Sequence, residues 1–204
     1  PYGSLSAFVA AGGTVSDNCS GNITITLTNS VTTPGTCANS FVITRTYTAT
    51  DVCGNTASCN QTITISDNTP PSITCPANVT VPCASAVPAA NIASVISSDN
   101  CAGVITVTVA ADVISNQTCP NKYLITRTYT ATDICGNASS CSQLITVNDN
   151  IPPSITCPND LLVECATDVP APNTTLVVTS DNCNGQVTVT HIGDVIVDQL
   201  CANQ

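Results

Sequence analysis

Apolar and polar residues alternate in short runs between turn residues, and the runs recur. Residues Ile43 to Pro76 read ITRTYTATDVCGNTASCNQTITISDNTPPSITCP, and residues Ile125 to Pro158 read ITRTYTATDICGNASSCSQLITVNDNIPPSITCP. The offset is 82 residues without a gap. In the later copy, Ile125, Tyr129 and Ala131 share one face of a strand. Gly136-Asn137 turns the chain, and Ile145 and Val147 face inward on the next strand. Upstream, Ile73 and Cys75 share a face that Val79, Val81 and Cys83 continue beyond a break at Pro76. Val95 and Ile96 lead into a turn at Ser98–Cys101, and Ile105, Val107 and Val109 alternate with Val104, Thr106 and Thr108. No helical period of useful length is present. About seven short strands in roughly 80 residues, with frequent turn signals, predict an immunoglobulin-like β-sandwich.

The 82-residue period extends over the whole chain. Ser-Asp-Asn-Cys stands at Ser16–Cys19, Ser98–Cys101 and Ser180–Cys183. Cys37, Cys119 and Cys201 are equivalent, as are Cys53 and Cys135, Cys59 and Cys141, Cys75 and Cys157, and Cys83 and Cys165. A full unit therefore carries six cysteines. The expected architecture is all-β: tandem, disulfide-rich sandwich repeats at 1–66, 67–148 and 149–204. Only 67–148 is a complete unit, because 1–66 lacks a first strand and 149–204 stops before the Thr-Arg-Thr-Tyr strand. The array is expected to continue at both ends.

Composition agrees with sheet. Hydrophobic residues make up 43% but aromatics only 3%, with no Met or Trp, so Val, Ile, Leu, Ala and Thr must build the core. Fourteen cysteines at regular spacing point to disulfides and an oxidising, extracytoplasmic compartment. Zinc is disfavoured, since no Cys-x-x-Cys occurs and the single His lies outside any cysteine cluster. The net charge of −10 argues against nucleic acid, which needs a basic footprint, and against anionic membrane surfaces. No segment is apolar over a length that spans a bilayer, and no signal peptide is visible at Pro1.

Thr-Ala-Thr-Asp-x-Cys-Gly-Asn, then Ser-Cys, then Asp-Asn-x-Pro-Pro-x-Ile-Thr-Cys-Pro resembles the hyalin-repeat (HYR-like) family of immunoglobulin-like modules. The cysteine-rich, Thr/Asn-rich form with Ser-Asp-Asn-Cys is similar to repeats in very large secreted surface proteins of Bacteroidota, including adhesins. The resemblance implies a stalk or filament at the cell surface, whose partners are neighbouring repeats or copies of itself. It implies no defined surface ligand.

Acidic residues gather where the ends of modules are expected. In the middle repeat these are Asp67, Asn68, Asp99, Asn100, Asp133 and Asn137. Their equivalents are Asp17, Asn18, Asp51 and Asn55 in the first repeat and Asp149, Asn150, Asp181 and Asn182 in the third. Oxygen ligands of this kind suit calcium, and the arrangement resembles a cadherin junction. The competing reading makes them turn formers only, with the following prolines stiffening the bend.

Topology offers one set of disulfides: Cys75 with Cys141, Cys101 with Cys135 at the acid-bearing end, and Cys83 with Cys119 at the opposite end. A local scheme competes, joining Cys53–Cys59, Cys135–Cys141, Cys19–Cys37 and Cys75–Cys83. Thiols are expected only where the partner belongs to a further repeat. Arg45 and Arg127, on the face of Tyr47 and Tyr129, read as arginines reaching out at the sheet end, with stacking or an ion pair as the alternative. His191 aligns with Val109 and Leu27 and reads as a packed or edge-exposed histidine. No acid–base or nucleophile set recurs, so no enzyme activity is expected. The alternative function is a glycan- or protein-binding accessory module, against which sparse aromatics count.

Overall fold

The structure, a computed structural model, describes residues 2–19 and 21–197. It opens with a helix, α1 (Leu5–Ala10), where none is expected from the pattern. Ser4 caps it, its hydroxyl accepting from the Ala7 amide at 3.2 Å. Gly12, at φ +87°, lets the chain leave the helix. Three strands then form an antiparallel meander: β1 (Thr24–Pro34), β2 (Ser40–Thr50) and β3 (Thr56–Ser66). β2 and β3 pair without interruption from Ser40↔Ser66 to Thr50↔Thr56, whereas β1 carries an irregularity between Leu27 and Asn29.

The exposed face of this meander is a hydroxyl ladder. Thr48 Oγ1 lies 2.8 Å from Ser58 Oγ and 3.0 Å from Thr28 Oγ1, and Thr46 donates to Asn60 Oδ1 at 2.9 Å. Such cross-strand pairs favour β-branched threonine at these positions. The other face buries Ile25 and Tyr47, against which Phe8 packs from α1. Tyr2, Phe8 and Tyr47 form an aromatic cluster with ring centroids 5.6–6.3 Å apart.

The middle repeat has seven strands, matching the expected number: β4 (Ser72–Thr74), β5 (Val79–Val81), β6 (Ile96–Ser98), β7 (Thr106–Val109), β8 (Val113–Cys119), β9 (Lys122–Thr132) and β10 (Ala138–Asn148). β4 pairs with β6 in a two-stranded sheet. A second sheet has the order β5-β10-β9-β7, with β8 also on β9. β5 runs parallel to β10, placing Val79 opposite Ile145 and Val81 opposite Val147. β8 has no counterpart in the sequence reading. In the third repeat, β11 (Ser154–Thr156) pairs with β12 (Val178–Ser180) in the register of β4 and β6.

Contact density divides the chain into two compact units that do not follow the repeat boundaries. One comprises the chain up to Pro76, Asn91–Ala110 and Thr128–Cys141; the other comprises Ala77–Ala90, Ala111–Arg127 and the chain from Ser142 onward. The second unit centres on Ile125, Ile145 and Val147, covered by Val79, Val81, Val87 and Tyr123. The expected inward face of β9 and β10 is thus the observed one.

Arg127 departs from expectation, since it does not reach out to solvent. It is buried, and its guanidinium grips Asp112 through Nε and Nη2 at 2.8 Å each, while Nη1 donates to the Pro88 carbonyl at 2.9 Å. The Arg127 hydrogen bonds hold the Asp112 carboxyl below its usual range, against a smaller opposing effect of burial. In the first repeat Ser30 stands at the position of Asp112, so Arg45 has no equivalent carboxylate there. Asp112→Asn should strand a buried cation and cost about 2 kcal/mol, less than a fully buried pair because the Asp112 side chain is 32% exposed. The depressed carboxyl makes this contribution fully present above the ordinary carboxylate value and lost as pH falls through the folded one. Acid unfolding should therefore lose a component below about pH 4 in the variant, read by circular dichroism.

Candidate functional site

The β1–β2 turn of the first repeat is built into the loops of the second. Within the first compact unit, the Asn39 carbonyl accepts from the Asp67 amide at 3.2 Å, and Asn39 Nδ2 donates to the Ala102 carbonyl at 3.0 Å. Beside this turn, Cys37 is bonded to Cys135, with 5.1 Å between Cα atoms. Within the second unit the same contact recurs one period on. The Asn121 carbonyl accepts from the Asp149 amide at 2.9 Å, and Asn121 Oδ1 accepts from the Ala84 amide at 2.9 Å. There Cys83 is bonded to Cys183.

These bonds correct the expected pairings. Cys75–Cys141 is present, tying the residue after β4 to β10. Cys101 does not pair with Cys135, nor Cys83 with Cys119, because Cys135 and Cys83 each bond to a cysteine of a neighbouring repeat. None of the local pairs forms. Both sets assumed that every loop closes within one repeat. The separations of 98 and 100 residues exceed the period of 82.

The acidic residues divide into two kinds. Asp133 and Asp51 serve their own hairpin turns. Asp133 Oδ1 accepts from the amides of Cys135 and Asn137 at 2.8 Å each, and Oδ2 accepts from Asn137 Nδ2 at 2.8 Å. Asp51 repeats this with Cys53 and Asn55 at 2.7–2.8 Å. Burial disfavours the Asp133 anion, yet the bonds from Asn137 and Cys135 outweigh it and hold the carboxyl below its usual range. Hydrogen bonds from Asn55 do the same for Asp51. Gly54 and Gly136, at φ +88° and +89°, close these turns in a conformation that other residues resist.

Asp67 and Asp99 are of the second kind. Asp67 Oδ1 accepts from the Thr69 amide at 3.2 Å and Asp99 Oδ2 from the Cys101 amide at 3.2 Å. Asp67 Oδ2 and Asp99 Oδ1 are buried without a partner. One oxygen from each and Cys101 Sγ lie within 4.8 Å of one another. Burial raises the Cys101 thiol, as do Asp67, Asp99 and Asp133 around it. Asp149, Asp181 and Cys183 form the equivalent group in the third repeat, where the sulfur belongs to a disulfide. Asn68, Asn100, Asn150 and Asn182 are exposed at the rims. In the first repeat Asp17 and Asn18 are exposed, and Asp17 lines a cleft with Asp51 and Asn55.

The chain as a whole can now be compared with known proteins. The family described as HYR-like domain with 4 cysteines matches residues 5–65 and 71–147. The chain belongs to this family. A search of curated proteins found no match. A disulfide-rich HYR-like chain fits an extracellular structural or adhesive module. No helix among the described residues is long and apolar enough to cross a membrane. The full HYR-like repeat at 67–148 carries six cysteines, more than the four of the family's description.

His191 lies on the surface of this HYR-like chain, its Nε2 3.0 Å from Asp194 Oδ1, and no strand contains it. Both residues line a cavity with Cys157. The grouping does not recur, because Cys75, the equivalent of Cys157, is in a disulfide and the equivalents of His191 are aliphatic. Asp112 was not singled out from the sequence; the available signal was an acid outside every Asp-Asn turn in a chain with two arginines. Of the two equivalent turn acids, Asp133 carries more. Its partner Asn137 also donates to the Asp67 carbonyl at 3.0 Å. Asp133→Ala should therefore lower the melting temperature more than Asp51→Ala, a difference that calorimetry of the two variants measures.

Proposed function

We propose that the protein is a non-catalytic extracellular stalk, built of HYR-like repeats laced end to end by disulfides and stiffened by calcium where repeats meet. One observation carries the reading: two of the three disulfides among the described residues span more than a repeat period, so they join successive repeats. A freely jointed string of modules has no use for such bonds, whereas a load-bearing rod does.

The calcium reading rests on the two unpartnered oxygens. A buried carboxylate oxygen without a donor is costly, and two such carboxylates close together repel. No lysine or arginine pairs with either among the described residues. A divalent cation satisfies both oxygens. Asp67 and Asp99 would hold it in the middle repeat, and Asp149 and Asp181 in the third. The hard oxygen donors suit Ca²⁺, and a protonated Cys101 thiol adds no competing soft ligand. Asp133 contributes its field rather than a free oxygen.

Calcium at a hundred times its dissociation constant would add about 2.7 kcal/mol of stability through binding alone. The melting temperature should rise with calcium and fall back with chelator, while the disulfides keep the repeats folded. Asp67→Asn and Asp99→Asn should each blunt the rise. Small-angle scattering should show a longer, stiffer particle in calcium. Identical melting and scattering in calcium and chelator, with no metal by elemental analysis, would reduce Asp67 and Asp99 to turn formers.

A further inference from the structure

Three glycines occupy one position of the repeat: Gly21, Gly103 and Gly185, each two residues after the cysteine of Ser-Asp-Asn-Cys. The first two have a packing reason. A Cβ on Gly21 would lie 3.1 Å from Val52 Cγ2, and one on Gly103 would lie 3.1 Å from Ile134 Cγ2. Val52 and Ile134 are themselves equivalent, each following a turn acid, Asp51 or Asp133. The hairpin tip therefore lies over this position and favours the residue without a side chain. The residue before the glycine is under no such constraint and differs in each repeat: Ser20, Ala102 and Asn184.

Asn184 is in consequence the one asparagine of the chain that precedes a glycine. Other loop asparagines are held by their side chains. Asn55 and Asn137 donate to Asp51 and Asp133 at 2.7 and 2.8 Å, and Asn39 donates to the Ala102 carbonyl at 3.0 Å. Asn91 and Asn173 each accept from the amide two residues on at 3.0 Å. Neither the Asn184 side chain nor the Gly185 amide has a hydrogen bond to a described residue. Both residues are exposed and belong to no helix or strand. Their equivalents Ala102 and Gly103 are exposed too, so the dipeptide position stays open in a repeat that has its last hairpin. Cys183, directly before, is 2% exposed and bonded to Cys83, so the open dipeptide leaves a fixed point.

We propose that Asn184 is a site of spontaneous modification, converting to aspartate and isoaspartate in the folded protein through a succinimide. Asparagine is among the chemically labile residues. The Gly185 backbone nitrogen loses its proton to hydroxide and attacks Cγ of Asn184. The Cγ–Nδ2 bond breaks and ammonia leaves, closing a five-membered ring. Glycine permits this because no Cβ crowds the attacking nitrogen. Water then adds to either ring carbonyl and cleaves its bond to the ring nitrogen. Opening at Cγ gives aspartate; opening at the main-chain carbonyl gives isoaspartate, whose backbone runs through Cβ and Cγ. Water enters, ammonia leaves, and nothing is oxidised or reduced. Ser20 and Ala102 have no carboxamide, so the reaction is confined to the third repeat. The product adds a negative charge to a chain already at −10, on the loop that carries Asp181. Isoaspartate also lengthens the main chain by a methylene beside Cys183, while Cys83–Cys183 keeps the repeats joined.

This inference rests on neither the stalk nor the calcium reading. To test it, the native chain with its disulfides intact is kept in water labelled with heavy oxygen, at neutral and at mildly alkaline pH. Samples are digested at intervals and mapped by mass spectrometry. The label marks conversion during the incubation rather than during digestion, and electron-transfer fragmentation separates aspartate from isoaspartate. Asn184 should take up label about tenfold faster than any other asparagine, equivalent to a barrier lower by about 1.4 kcal/mol. The rate should climb with hydroxide, and the product should be a mixture of the two acids. Gly185→Ala should slow the conversion by about tenfold. The added Cβ would meet only the Cys183 carbonyl oxygen, at 3.8 Å, so the loop accommodates it. Recovery of Cys37–Cys135, Cys75–Cys141 and Cys83–Cys183 in the same digests certifies the fold of both proteins. Label at Asn184 no faster than elsewhere, or an unchanged rate in Gly185→Ala, would overturn the inference. So would conversion that begins only after reduction and unfolding.

Discussion

The structure depends on one contact, in which an asparagine turn from one repeat is docked on the Asp-Asn loop of the next, with a disulfide between repeats close by. Asn39 accepts from the Asp67 amide beside Cys37–Cys135, and Asn121 accepts from the Asp149 amide near Cys83–Cys183. Backbone hydrogen bonds of this sort contribute only about 1 kcal/mol net, so alone they would let modules bend apart. The disulfide changes the situation by keeping the partners at contact distance. The docked loop also brings the Asp67 carboxylate close to that of Asp99, and Asp149 stands in the same way beside Asp181, so the contact between repeats and the paired carboxylates lie together in both.

Weak cores explain why such joints are needed. With aromatics at 3%, each repeat has little large apolar surface to bury. The cores are small: Ile125, Ile145 and Val147 in one unit, and Phe8, Ile25 and Tyr47 in the other. Cross-links substitute for missing burial by restricting the unfolded chain, typically by about 2–4 kcal/mol each in the entropic account. The hydroxyl ladders on the sheets add register but little burial. The Arg127–Asp112 pair is an exception that fixes β9 against the chain at Pro88 in the middle repeat alone.

Much of this was legible in the residues. The period, the strands through Ile125, Tyr129, Ile145 and Val147, and the turns at Gly54 and Gly136 all follow from alternation and turn chemistry. The Cys75–Cys141 pairing was legible because both cysteines belong to one repeat. The pairings across repeats were not, because sequence spacing cannot distinguish a partner in the same repeat from its equivalent 82 residues away. β8 was missed because Ser115-Asn116-Gln117 breaks the alternation, with Asn116 at φ 55° and the register shifting between Ser115 and Cys119. α1 was missed because six residues are too few to show a helical period; the Ser4 cap and the following glycines were its only local signals. For the acids, sequence placed them at the right loops but could not separate those whose oxygens are taken, such as Asp133, from those left open, such as Asp67.

The covalent topology has a consequence that no single module could have. The loop closed by Cys37–Cys135 and the loop closed by Cys83–Cys183 overlap between residues 83 and 135. A single cut of the backbone anywhere from Cys37 to Cys183 therefore leaves the two pieces joined. Tension applied along the chain passes through the disulfides and bypasses most of the intervening backbone. The stretch from Cys37 to Cys135 alone would otherwise extend by up to about 3.3–3.6 Å for each of its residues on unfolding. Because the loops overlap, no residue between the outermost bonded cysteines relies on non-covalent packing alone to stay attached. A disulfide confined within each repeat would leave every linker as the sole covalent path. Bonds longer than the period remove that weak point, which is the physical reason for a cysteine spacing that looks redundant within any one repeat.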